Sequence, residues 1–178
     1  MGENTGGTRR LGRGMLMVFW VLVLALGTWL YRGALEVRHN PNQSVTQRVT
    51  DAGVTEVVLT RNAAGHFVAT GAINGRPVEF LLDTGATYVA VPGALARRLG
   101  LERGAQVSFK TANGSSVGYL TTLDTVTLGG LTGERVRGSI NPSMDGETVL
   151  LGMSYLRRFA IEFEGERMIL RPPSADGG

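Results

Sequence analysis

One stretch of the chain shows no alternation of apolar and polar positions. From Met15 to Tyr31 it reads MLMVFWVLVLALGTWLY, without a charge. An uncharged run of roughly 17–25 residues is long enough to cross a bilayer as a helix at ~1.5 Å per residue. Trp29 and Tyr31 fall where interfacial aromatic residues sit. The pattern predicts a single-pass transmembrane anchor over 15–31, behind a short N-terminal segment, 1–14. Arg9, Arg10 and Arg13 precede the run, while Arg32 and Arg38 follow it. That bias favours a cytoplasmic N-terminus and an exported, periplasmic-type C-terminal domain. A cleaved signal peptide and a buried core helix are the alternatives. The run is long for a signal core and no A-x-A-like site follows it cleanly, so a retained anchor is the reading taken.

Residues 32–55 are polar and mixed, without a period, and read as a linker. Residues 173–178 read as a disordered tail. Between them, 56–172 alternates like a β domain. Gly65–Ile73 and Arg76–Leu82 flank Asn74-Gly75, a strong short-range hairpin signal, because a type I′ turn needs positive φ at both centres. Thr87–Val91 predicts another strand. Pro92–Leu99 predicts a short helix closed by Gly100. Gln106–Thr111 and Ser116–Leu128 flank a second Asn-Gly, Asn113-Gly114, and Gly129-Gly130 turns the chain into Leu131–Ile140. Val149–Gly152, a short helix over Met153–Phe159 and a hairpin around Glu164-Gly165 complete the domain. Many short strands with a turn every 8–12 residues or so predict a small closed barrel.

The composition narrows the class. The chain has 178 residues, 26 of them Gly and none Cys, which excludes disulfides and thiolate metal sites. The sequence pI is near 9.8. Its basic surplus does not cluster on the β domain, where eleven Arg and Lys110 face eleven acidic residues. A nucleic-acid partner is therefore not expected. The two histidines, His39 and His66, lie in different segments and no metal-ligand spacing exists, so no metal or other cofactor is implied. Ser154, in Gly152-Met-Ser154-Tyr-Leu, lacks the second Gly of a nucleophile elbow.

The informative segment is Phe80-Leu-Leu-Asp83-Thr84-Gly85-Ala86-Thr87. An apolar strand runs straight into Asp-Thr-Gly and resumes as another strand, planting a carboxylate on a tight loop. Such an acid is costly to bury unless paired or hydrogen-bonded. The other candidates, beginning at Asp51, Asp124, Asp145 and Asp176, all fail the Asp-Thr/Ser-Gly pattern.

With Gly65-His-Phe, Ile73-Asn-Gly, Leu99-Gly-Leu, Thr111-Ala-Asn-Gly and Leu150-Leu-Gly-Met-Ser beside it, this segment resembles the retropepsin-like aspartic proteases. The likeness runs from about Glu56 to Arg171 and is closest to the bacterial, membrane-anchored, single-domain members. It implies an all-β, single-lobe closed barrel with one or two short helices, here behind the anchor. It also implies that Asp83 is catalytic, that Thr84 bonds across a dimer axis, and that Gly85 permits the turn. Leu150-Leu151-Gly152 would thread beside the catalytic loop. The hairpin Gln106–Leu120, an ordinary surface hairpin if taken alone, would be a flap over substrate. Ala86, Ala112, Asn113 and Gly114 would then contact the polypeptide.

The chemistry asks for two carboxylates sharing a proton, one acting as base on a water and the other as acid at the scissile carbonyl. This chain offers one such Asp, and its folded part is too short for two lobes. A homodimer supplies the second most simply. The expectation is an aspartic-type endopeptidase. A non-catalytic peptide- or partner-binding module of the cell envelope is the alternative, and an anchored domain that aids envelope assembly is a third reading.

Overall fold

The computed structural model describes residues 5–50, 53–111 and 114–173 of the chain. It divides into two units, 1–38 and 39–178. The first is helix α1, Thr5–His39, which extends beyond the expected span at both ends. Its stretch Gly14–His39 is long and apolar enough, by length and composition, to cross a membrane. Apolar side chains from Met15 to Tyr31 stand exposed along it. The helix runs past Tyr31 because Ala34, Leu35 and Glu36 are strong helix formers. Pro41 ends it, since the residue before proline is pushed out of the helical region.

The linker expected over 32–55 is corrected by the same observation and by the fold of the second unit. Residues 39–49 are built into that unit. Asn42 is buried, and its side-chain amide donates to the carbonyls of Thr60 (2.8 Å) and Val68 (2.7 Å) while its Oδ1 accepts the Thr60 N–H (2.8 Å). The next strand, β1 (Thr46–Val49), pairs antiparallel with β2 (Thr55–Thr60). All four β1 residues are exposed, so the strand leaves no apolar alternation to read. The residues expected as a tail lie, from 174 onward, outside the described part.

The remaining elements fall close to their expected places. They are β3 (Val68–Ile73), β4 (Arg76–Leu82), β5 (Val89–Pro92), α2 (Gly93–Leu99), β6 (Gln106–Thr111), β7 (Gly114–Leu128), β8 (Leu131–Asn141), β9 (Val149–Leu151), α3 (Met153–Leu156), β10 (Ala160–Glu164) and β11 (Arg167–Arg171). At the β3–β4 turn Asn74 has φ 50° and Gly75 φ 75°, the conformation the Asn-Gly pair demands. Gly100 closes α2 in the left-handed region, φ 71°.

Two sheets result. The smaller is antiparallel, ordered β1-β2-β11-β10. The larger is ordered β3-β4-β9-β5-β8-β7-β6, and β3 also pairs with β7 through Ala72–Thr127 and Ile73–Val126. That last pairing closes six strands into a barrel and leaves β6 on its rim. Val78 and Phe80 of β4 turn inward to join Ile73, Leu123, Ile140, Leu151 and Tyr155 in one core. Burying a side chain such as Phe80 contributes about 2–3 kcal/mol. Within the barrel β4 and β9 run parallel, Leu81 beside Leu150 and Leu82 beside Leu151. Both strands end together, at Asp83 and at Gly152.

Candidate active site

The Asp83 loop is held by main-chain bonds from both sides. On the incoming limb, Leu82 N–H donates to the Phe67 carbonyl (3.0 Å) and Asp83 N–H to the Leu151 carbonyl (3.2 Å). The turn closes through Ala86 N–H to the Asp83 carbonyl (3.2 Å) and Gly85 N–H to Asp83 Oδ1 (2.8 Å). On the outgoing limb, the N–H groups of Met153 and Ser154 donate to the carbonyls of Ala86 (2.8 Å) and Thr87 (2.9 Å). Gly152 is where this clamp is tightest. A Cβ there would stand against the Tyr88 carbonyl oxygen and 2.5 Å from that of Ala86. Backbone cannot swing aside as a flexible side chain can, so only glycine fits without moving the loop.

The result is a half-buried carboxylate at the end of two rigid strands, beside an exposed Thr84 and Gly85. Gly85 does not adopt positive φ; a side chain at this position would stand 3.1 Å from Asp83 Oδ1. Thr84 has no hydrogen-bond partner among the described residues. Asp83, Thr84, Gly85 and Ala86 thus share one loop. Ala112 and Asn113 lie outside the described residues. Gly114 opens β7 opposite Thr111, so the expected hairpin exists. Two cavities among the described residues do not include Asp83. One of about 660 Å³ lies between the loop Gly100–Gly104, β7 and β8, and another of about 350 Å³ lies beside Glu79, Leu95 and Arg98. We give them no part in the site, because neither touches the loop carboxylate.

Composition and motif missed one residue that the structure places here. Ser154, set aside as a nucleophile, is buried, and its hydroxyl donates to the Arg137 carbonyl (2.6 Å) while accepting the Val89 N–H (3.1 Å). The available signal was a small polar residue inside an otherwise apolar run, Leu150–Leu156.

A single acid cannot act as base and acid in the same step. The loop presents one carboxylate, with its neighbouring threonine exposed.

Comparison with known proteins gives the same class. The profile of the family described as "gag-polyprotein putative aspartyl protease" matches residues 69–158. The chain is 31% identical over 162 residues to an "Uncharacterized protein in cobV 5'region" of a Sinorhizobium species, covering 83% of this chain and 68% of that one. It is 30% identical over 109 residues to "Uncharacterized protein RP867" of Rickettsia prowazekii, covering 60% of this chain and 46% of the relative. Among solved structures, a retropepsin-like aspartic protease from Rickettsia conorii superimposes with a TM-score of 0.58 at 27% identity, over 72% of this chain and 96% of that one. The chain belongs to the retropepsin-like aspartic protease family.

Proposed function

We propose that the protein is an aspartic endopeptidase, active as a homodimer in which two copies of Asp83 activate one water. The observation that carries this reading is the Asp83 loop, fixed by β4, β9 and α3 with its carboxylate and Thr84 open to one side. Two carboxylates held about 3 Å apart cannot both ionise, so the pair keeps one proton through a wide pH range. The ionised member takes a proton from water as that water attacks the peptide carbonyl. The protonated member donates to the carbonyl oxygen, and proton return to the amine completes hydrolysis. Thr84 bonds its counterpart across the two-fold axis. The β6–β7 hairpin, with Ala112, Asn113 and Gly114 at its end, covers an extended polypeptide and offers it main-chain hydrogen bonds.

An exposed aromatic near Phe67 offers a surface for the second copy. Phe163 of β10 is 55% exposed and lies 6.0 Å, ring to ring, from Phe67, whose carbonyl holds Leu82. The helix α1 anchors the chain in the membrane with its N-terminus cytoplasmic and the β domain on the exported side. Anchoring in one plane raises the effective concentration of each copy for the other.

The test is cleavage of an unstructured polypeptide by the full chain in detergent micelles. Wild type produces fragments, and Asp83→Asn lowers the rate by about 10³-fold or more while the fold is kept. If wild type binds the polypeptide yet never cuts it, the binding-module reading replaces this one.

A further inference from the structure

Val89 opens β5 just after the Asp83 loop, and β5 runs parallel to β8 with Val89 opposite Gly138. A parallel ladder joins an N–H to the carbonyl of the residue before its partner, which at this position is Arg137. The Ser154 hydroxyl lies beside both groups, taking the Val89 N–H at 3.1 Å and giving its own proton to the Arg137 carbonyl at 2.6 Å. One buried side chain thus bonds both strands at the point where the Asp83 loop leaves its turn. The main-chain N–H of the same residue holds the Thr87 carbonyl, and its neighbour Met153 holds that of Ala86.

We propose that Ser154 is a positioning residue for Asp83. It acts through the loop's outgoing limb, which its hydroxyl links to β8 and its N–H ties to α3. The inference rests on the reading of Asp83 as catalytic. It assigns Ser154 no contact with substrate or water.

Without the hydroxyl, a buried N–H and a part-buried carbonyl lose this partner. The Ala86–Tyr88 limb then loses the side-chain bonds that fix it to β8, and Asp83 shifts with it. The two Asp83 carboxylates of a dimer then sit farther apart. Their mutual repulsion weakens, and the two steps in which they titrate draw together. A misplacement on the scale of 1 Å costs up to about 10²-fold in rate.

The experiment compares wild type, Ser154→Ala, Ser154→Cys and Asp83→Asn as full chains in detergent micelles. It records kcat per folded molecule, KM, and the pH profile of kcat/KM on an unstructured fluorogenic peptide. Cysteine keeps the volume but is a weak hydrogen-bond partner, so it decides the matter if the alanine variant does not fold. The expected result is a fall in kcat of about tenfold or more with KM held within about twofold. The acid and alkaline limbs of the profile should also move toward each other. A variant that is merely less stable, with wild-type kcat per folded molecule and a superimposable pH profile, overturns the proposal. Should Asp83→Asn cleave like wild type, the catalytic reading fails first, and this inference goes with it.

Discussion

At the scale of single residues, the site depends on what each position cannot accommodate. Gly152→Ala places a methyl group against two carbonyl oxygens of the loop. We expect cleavage per folded molecule to fall about a hundredfold, measured in single turnovers. Ala86 carries no hydroxyl to favour ionised carboxylates, so the pH–rate profile should peak at a less acidic value than in two-lobed aspartic proteases. A maximum near about pH 3 would count against that. Tyr155 gives a separate, alkaline prediction. Burial raises its hydroxyl pKa well above the usual value of about 10, against smaller lowering influences from the Leu128 backbone and the Arg158 charge. A raised folded-state pKa means this stability is fully present below about pH 10 and is lost as pH climbs toward the folded value. Tyr155→Phe should remove that alkaline loss. It should cost about 1 kcal/mol at neutral pH, because the Leu131 carbonyl loses its 2.8 Å donor. Denaturant titrations across pH 8–11 or so would show both effects. The turn at Asp83 could be read from the sequence because Asp-Thr-Gly interrupts two apolar strands. Ser154 could not, because its partners are main-chain groups of distant strands.

At the scale of elements, the Asn-Gly turn, the β3–β4 hairpin and the Gly100 cap follow from local backbone chemistry, and the sequence shows them directly. The start of the β domain does not. His39–Asn42 is fixed by polar side chains: Asn42 brackets Thr60 and Val68, and His39 Nε2 lies 2.9 Å from Glu79 Oε1. Bonds of that kind have no periodicity. Strand β1 is likewise invisible, as an edge strand with all four residues exposed. We expect Asn42→Ala to destabilise the domain by about 3 kcal/mol, because it strands buried main-chain donors and acceptors at once. The midpoint of chemical unfolding measures this. An unchanged midpoint would mean that the segment is a linker after all.

At the scale of the whole molecule, barrel closure was foreseeable from strand count and turn spacing, whereas which strands meet was not. Closure depends on two residue pairs, Ala72–Thr127 and Ile73–Val126, far apart in the chain. In the proposed homodimer, the pairing of the two copies follows mass action. Phe163→Glu should weaken self-association, and the lost activity should return as protein concentration in the micelles is raised. Activity that stays low at every concentration would point to a local defect instead. Sidedness can be checked because the chain has no native cysteine. Ala94→Cys, exposed on α2, should react with a membrane-impermeant thiol reagent applied from the exported side.

Most of the clamp around Asp83 is written in peptide groups: the carbonyls of Phe67, Leu151, Ala86 and Thr87, and the N–H groups of Met153 and Ser154. Every amino acid except proline brings the same peptide groups. The neighbourhood can therefore change its vocabulary freely while keeping its grammar. A saturation library across 150–154 should tolerate many replacements at Met153, whose side chain makes none of these bonds, and almost none at Gly152.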